Sequence, residues 1–207
     1  MRCGKIVCIG QNYRAHVKEL ESEMPTEPVI FLKPSSALIK SGDEIIVPSG
    51  LGRVDYEGEL AVIIGTKANN VSKKEALAFV GSVAVFNDVT ARDVQSIARK
   101  AGLPWSLAKG MDTFAPLSEP TPISKVGDLQ DLKVLTKVNG ALRQNGRTAD
   151  MIFSVEDLIE YITRYMTLEP GDVIATGTPE GVGPIKDGDV VEISIPGVGE
   201  LRNPVRS

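Results

Sequence analysis

Histidine is almost missing from this sequence. Of 207 residues only His16 carries an imidazole, only Cys3 and Cys8 carry thiols, and Trp105 is the single indole. A metal site of four cysteines, of two cysteines with two histidines, or of three histidines cannot be assembled from such a set within one chain. A metal would have to be held mainly by oxygen, and any imidazole chemistry falls to His16. Two cysteines make no disulfide framework at this length, and they suit a reducing compartment. An excess of positive charge is missing too. With 23 Lys and Arg against 27 Asp and Glu the net charge is −4, which argues against a nucleic-acid partner. Apolar runs such as Leu60 to Ile64 fall far short of the ~20 residues of a membrane-spanning helix, so no membrane partner is expected. The first residues carry no signal-peptide pattern, and the expected location is the cytoplasm. The length suits one sizeable core and a single domain over residues 1–207.

What is present is a succession of short apolar runs and turns, without repeats or low-complexity blocks. Lys5 to Ile9, Val29 to Leu32, Ile45 to Val47 and Tyr56 to Ile64 read as strands, stopped by Gly10, Pro34, Pro48 and Gly65. Asn12 to Leu20 reads as a short helix. Ser72 to Val80 reads as a helix with Ser72 and Glu75 as a capping box. Ser82 to Phe86 reads as a strand, and Ala91 to Lys100 as a helix ended by Gly102 and Pro104. Leu132, Val134, Thr136 and Val138 alternate like a strand, and Asn139-Gly140 supplies the two positive-φ residues of a type I′ hairpin. Ser154 caps a helix with apolar positions Val155, Leu158, Ile159 and Ile162. Asp172 to Ala175, Val190 to Ile195 and Gly199 to Leu201 close the chain as strands. Many short strands, few helices and no regular βαβ alternation predict a β-rich α+β fold rather than a Rossmann fold.

The chemistry-bearing residues are spread along these elements. Glu57 and Glu59, at i and i+2, share one face of a strand, and Asp55 extends the row. The strand beyond them is apolar on both faces, as in a buried strand. Like charges entering such a strand are costly without a counter-charge. A divalent cation such as Mg2+ or Mn2+ is one solution; an exposed, charged strand end is the other. Asp88, just past the strand Ser82 to Phe86, is the natural third oxygen ligand, although Asp88 or Thr90 would equally serve as a helix cap. His16 and Glu19, three apart, share a helix face. Together they form either a base with its orienting carboxylate or a surface charge pair. Lys109 follows the apolar stretch Pro104 to Ala108, placed to pair with a carboxylate or polarise a carbonyl. Arg92 and Gln95 share one helix face and reach a cavity or solvent. The segment from Thr176 through Gly177 and Thr178 to Gly183 resembles an anion-holding loop without the ending of a P-loop, or a plain turn.

The order of the blocks KIVCIGQNYRAHVKEL, VDYEGELAVIIG, VFNDVTARDVQ, PWSLAKGMDTFAP and LEPGDVIATGTPEGVG resembles the fumarylacetoacetate hydrolase family, from about Lys5 to the C-terminus. It is most similar to the short acylpyruvase-type members. The resemblance implies a mixed β-sandwich roll, usually a homodimer. It implies that Glu57, Glu59 and Asp88 hold Mg2+ or Mn2+, and that His16 and Glu19 activate water. Arg92, Gln95, Lys109 and Thr178 match residues that line the substrate site. Gln11 departs from the arginine common in similar acylpyruvases. The implied substrate is a small 2-oxo or 2,4-dioxo acid. The implied reaction is hydrolysis of an acylpyruvate C–C bond to pyruvate and a carboxylic acid. Oxaloacetate decarboxylation and keto–enol tautomerisation are alternatives on the same site, and a non-catalytic ligand-binding member is a further one.

Overall fold

The computed structural model describes residues 3–19 and 21–207. The C-terminal end of the helix expected over 12–20 lies partly outside them. The described part is a short helix, Arg14–Glu19.

Strands dominate, in mixed sheets. The largest has eight strands. In spatial order seven of them are Val29–Lys33, Ile6–Gly10, Val173–Ala175, Gly58–Ile64, Val80–Asn87, Ala115–Leu117 and Leu38–Lys40; Thr121–Pro122 pairs beside Val80–Asn87. Most pairings are antiparallel, but Ile6–Gly10 with Val173–Ala175 and Leu38–Lys40 with Ala115–Leu117 run parallel. Gly58–Ile64 lies inside this sheet, and all its residues but Ile63 are buried. That is why it reads as a continuous apolar run.

A second sheet holds Ala141–Arg147, Lys133–Val138, Val190–Ile195, Gly199–Arg206 and Ile45–Ile46. Here burial alternates. Val134, Thr136 and Val138 face inward, as do Val191, Ile193 and Ile195. The period of two in the sequence records a sheet with one face on the core. The hairpin turn is the expected one, with Asn139 at φ 52° and Gly140 at φ 78°. This sheet presses onto the first at Gly58. A Cβ there would collide with Thr136 Oγ1 and crowd Gln144 Oε1 at 3.1 Å. The glycine between the two glutamates is therefore a packing requirement.

Three sequence expectations change. The strand Tyr56 to Ile64 is two strands, Val54–Tyr56 and Gly58–Ile64, which belong to different sheets. The break falls on Glu57. The helix over Ser72 to Val80 is a run of 3-10 turns, Lys73–Phe79, and Ser72 makes no side-chain cap. Its hydroxyl donates instead to Glu75 Oε2 at 2.6 Å, so the expected capping box does not form there. The box at Ser154 does form. Ser154 Oγ accepts from Asp157 N–H, and Asp157 Oδ2 accepts from Ser154 N–H at 3.1 Å. The helix it starts, Val155–Thr163, buries Val155, Leu158, Ile159 and Ile162 as the spacing predicts. Short strands such as Leu38–Lys40 and Gly183–Ile185 are not legible in the sequence, being too brief to show a period.

Candidate active site

Two antiparallel neighbours end together. Gly58 opens one strand opposite Asn87, which closes the other. Asn87 Oδ1 accepts the Glu57 N–H at 3.0 Å, and Asp88 N–H donates to Glu57 O at 2.9 Å. These bonds hold the chain across the break, and they bring Glu57, Glu59 and Asp88 to one place. All three are buried, with a carboxylate oxygen of each within 4.8 Å of the others. Neither Asp88 nor Thr90 caps the helix that follows, Arg92–Lys100.

Cations converge on this cluster. Lys109, from the short helix Ser106–Lys109, donates to Glu57 Oε2 at 2.9 Å, Asp88 Oδ2 at 2.5 Å and Thr90 Oγ1 at 2.7 Å. Those bonds use all three N–H of its ammonium. Arg92 donates to Glu57 Oε1, to Asp55 Oδ2 at 2.8 Å and to Gln95 Oε1 at 2.7 Å. Arg53 holds the other side of Asp55 at 2.7 Å. Burial alone would raise the Glu57 carboxyl, but Lys109 and Arg92 outweigh it and hold that group well below the usual carboxylate range. Glu59 goes the other way. Burial, then the charges of Asp88 and Glu57, push it well above, and its hydrogen bond from Gly177 N–H at 2.9 Å offsets only part. Burial would lower Lys109, yet Asp88 and Glu57 hold its ammonium above the ordinary lysine value.

Lys33 is not among the site residues expected from the sequence. It is 1% exposed at the end of Val29–Lys33. Its three N–H go to backbone carbonyls of Val89 at 2.9 Å, Lys109 at 2.5 Å and Phe114 at 2.7 Å. Asp88 Oδ1 is 2.8 Å away and has an ion pair with Lys33 but no hydrogen bond. A buried carboxylate oxygen with charge nearby and no donor is a strong acceptor for a cation. With three convergent oxygen-only side chains, the cluster fits a hard divalent ion such as Mg2+ or Mn2+. No local pattern marks Lys33, since a lysine before a proline at a strand end is ordinarily solvated.

His16 stands on the same cavity, of about 200 Å3, with Glu57, Glu59, Asp88, Lys109 and Thr178. Its Nδ1 is 3.0 Å from Glu19 Oε2, and Glu19 Oε1 accepts Gly181 N–H at 3.0 Å. His16 is 4% exposed, so the imidazole is buried, while Glu19 reaches it from the exposed side. Gln95 and Arg92 also line the cavity. Gly177 serves through its bond to Glu59. Thr178 Oγ1 donates to Gly58 O at 2.9 Å and accepts from Gln144 Nε2 at 2.8 Å. The wholly buried Gln144, also absent from the sequence reading, spans Gly58 N–H, Thr178 and Pro179 O. One amide thus ties the strand break to the Gly177–Thr178 loop. The loop's polar groups are largely used in building the site.

The family model for the fumarylacetoacetate (FAA) hydrolase C-terminal domain matches residues 5–206. The mitochondrial oxaloacetate tautomerase FAHD1 of Arabidopsis thaliana is 50% identical over 96% of this chain and 89% of its own. An uncharacterised protein of Pyrococcus horikoshii is 51% identical over 97% of this chain and 87% of its own. Among solved structures, fumarylpyruvate hydrolase from Pseudomonas aeruginosa, in complex with Mn2+ and pyruvate, superposes with a TM-score of 0.94 at 35% identity. The match covers 99% of this chain and 90% of that one. Matched over nearly its whole length, the chain belongs to the fumarylacetoacetate hydrolase family.

Proposed function

We infer that this protein is an Mg2+- or Mn2+-dependent enzyme that hydrolyses the C–C bond of acylpyruvates to pyruvate and a carboxylic acid. The observation that carries the reading is His16, buried on the same cavity as the three carboxylates and held from the outer side by Glu19. Glu57, Glu59 and Asp88 would hold the cation. When bound, such an ion supplies a Lewis acid for the substrate's carboxylate and 2-oxo oxygens and for enolate charge.

The chain's own residues do the rest. Glu19 holds His16 by Nδ1, which leaves Nε2 as the proton acceptor. His16 takes a proton from water as the oxygen attacks the distal acyl carbonyl. The C–C bond breaks, its electron pair goes to the pyruvyl fragment as enolate, and a proton returned to that carbon gives pyruvate. Lys109 places its positive charge beside the developing enolate. Arg92 fixes Glu57 and orients Gln95, and Gly177 and Thr178 shape the wall behind Glu59. Residues 1–207 act as one catalytic domain in this reading, and the working unit is a homodimer in the cytoplasm. Light scattering and cell fractionation test those two points.

One observation favours a second reading. Relatives from Arabidopsis thaliana and Bos taurus, 50% and 47% identical, are named mitochondrial oxaloacetate tautomerases. Keto–enol exchange needs only proton transfer, which His16 can perform without water. Decarboxylation of oxaloacetate leaves the same enolate. One panel separates these reactions: acylpyruvates of several lengths, fumarylpyruvate and oxaloacetate, each with Mg2+, Mn2+ or EDTA. Pyruvate and carboxylic acid from an acylpyruvate, abolished by EDTA, is the expected result. Enol–keto exchange of oxaloacetate with no acylpyruvate cleavage establishes the tautomerase instead. Turnover that resists EDTA overturns the metal requirement of both.

A further inference from the structure

The helix Arg92–Lys100 buries none of its residues, yet one of its faces forms a wall of the cavity. Arg92, Gln95, Ser96 and Arg99 all line it. They stand at i, i+3, i+4 and i+7, which is a single helix face. Seven residues of helix rise about 10 Å, so Arg99 lies about that far along the wall from Arg92.

The two arginines have different surroundings. At the inner end every cation has an acidic partner within the protein. Arg53, Arg92, Lys33 and Lys109 pair with Asp55, Glu57 and Asp88. The ammonium donors of Lys33 and Lys109 are all used, and the Arg92 guanidinium is paired with two carboxylates. Arg99 has one protein partner among the described residues, the neutral Ser22 Oγ at 3.0 Å. A guanidinium carries five N–H in a planar fork matched to a carboxylate. Its other cavity neighbours on the helix, Gln95 and Ser96, are uncharged. Away from the carboxylate cluster, the cavity thus ends in an arginine that pairs with no acid among the described residues.

We propose that Arg99 is the specificity-determining residue of this site, and that it binds a second, terminal carboxylate of the substrate. The preferred substrates are then 2-oxo or 2,4-dioxo diacids rather than monoacids. Ser22 steadies the guanidinium from outside the cavity, leaving four N–H to the ligand. The proposal rests on the site being one for 2-oxo acids.

Equilibrium binding tests it with non-hydrolysable ligands. Calorimetry on the Mg2+-loaded protein compares 2-oxoglutarate with 2-oxopentanoate, and 2-oxoadipate with 2-oxohexanoate. The members of each pair match in carbon number and differ in the terminal carboxylate. Pyruvate is the reference ligand. The wild type should prefer the diacid of at least one pair by about tenfold or more, the worth of a charge-assisted hydrogen bond. Arg99→Gln should reduce that ratio to about twofold or less, and Arg99→Lys should keep an intermediate preference. Arg99 is exposed on its helix, so these variants keep the fold. Pyruvate binding without a diacid preference in the wild type, or an unchanged ratio in Arg99→Gln, overturns the proposal alone. Failure of pyruvate and of every oxo acid to bind overturns the 2-oxo-acid reading and this proposal with it.

Discussion

Lys33 Nζ lies 2.8 Å from Asp88 Oδ1, yet it gives all three of its protons to backbone carbonyls. The lysine thereby supplies charge to the carboxylate without satisfying it as a hydrogen-bond donor. It also fastens together the segments that carry Asp88 and Lys109.

Lys33→Met removes the charge and leaves three buried carbonyls unpaired. Breaking a buried pair from one side costs about 3–5 kcal/mol. Urea unfolding of the variant should show a loss of that order. A loss under about 1 kcal/mol would mean that the carbonyls find other partners.

Glu59→Gln keeps an oxygen that can accept the Gly177 N–H and removes one anionic ligand. Mg2+ affinity, read by calorimetry, should fall by at least about tenfold, with the melting temperature little changed. Native affinity in the variant would remove Glu59 from the ligand set.

His16→Ala should lower turnover by about 10²–10⁴-fold, the usual worth of a positioned general base. Mg2+ affinity should persist, since oxygen ligands hold the ion. Glu19→Gln keeps an acceptor for the Gly181 N–H and loses the charge beside the imidazole, so a smaller loss is expected. As the chain has one histidine, any imidazole limb in the rate–pH profile must vanish with it. Unchanged hydrolysis in His16→Ala would sink the assignment.

At the Ser154 capping box, burial would raise the Asp157 carboxyl. Its contacts with Lys73 and Ser154 outweigh burial and hold it below the ordinary value. A depressed folded value means stability present above the unfolded value of about 4 and lost as pH falls through the folded one. Ser154→Ala and Asp157→Asn should each cost about 1 kcal/mol at neutral pH. The gap in melting temperature between wild type and Asp157→Asn should narrow on acidification below pH ~4. A gap independent of pH would show that the ionised carboxylate contributes nothing there.

Much of the site is visible in the sequence as residue types in order. Glu57, Glu59, Asp88, His16, Lys109, Arg92, Gln95 and Thr178 line one cavity, with Glu19 behind His16; most sit near a strand end or on a short helix, and Thr178 lies in the glycine-rich loop. Gly177 joins through its backbone. Lys33 and Gln144 are not legible. Both are polar residues in alternating or strand-end positions where solvent is the ordinary expectation, and only a second layer packed over them makes them structural. The break at Glu57 is hidden for a related reason. Val54–Tyr56 and Gly58–Ile64 are both buried, and Asp55, Glu57 and Glu59 keep a spacing of two across the point where the chain changes sheets, so the pattern reads as one strand.

Residue identities alone limit the chemistry that is possible. One histidine and two cysteines exclude an imidazole- or thiolate-rich metal site, and the carboxylates leave an oxygen-ligand site as the alternative. Local periodicity is enough for the long strands, the Asn139-Gly140 hairpin and the Ser154 helix, because those depend on neighbours a few residues away. Which charges cancel is settled only by the folded arrangement. Asp88 meets Lys33 and Lys109, both remote in the chain, and Arg92 is neutralised by Asp55 and Glu57. Arg99, on the same helix face, meets no acid among the described residues. Coulomb energy depends on distance and burial rather than on sequence separation, so that division emerges only once the sheets are stacked.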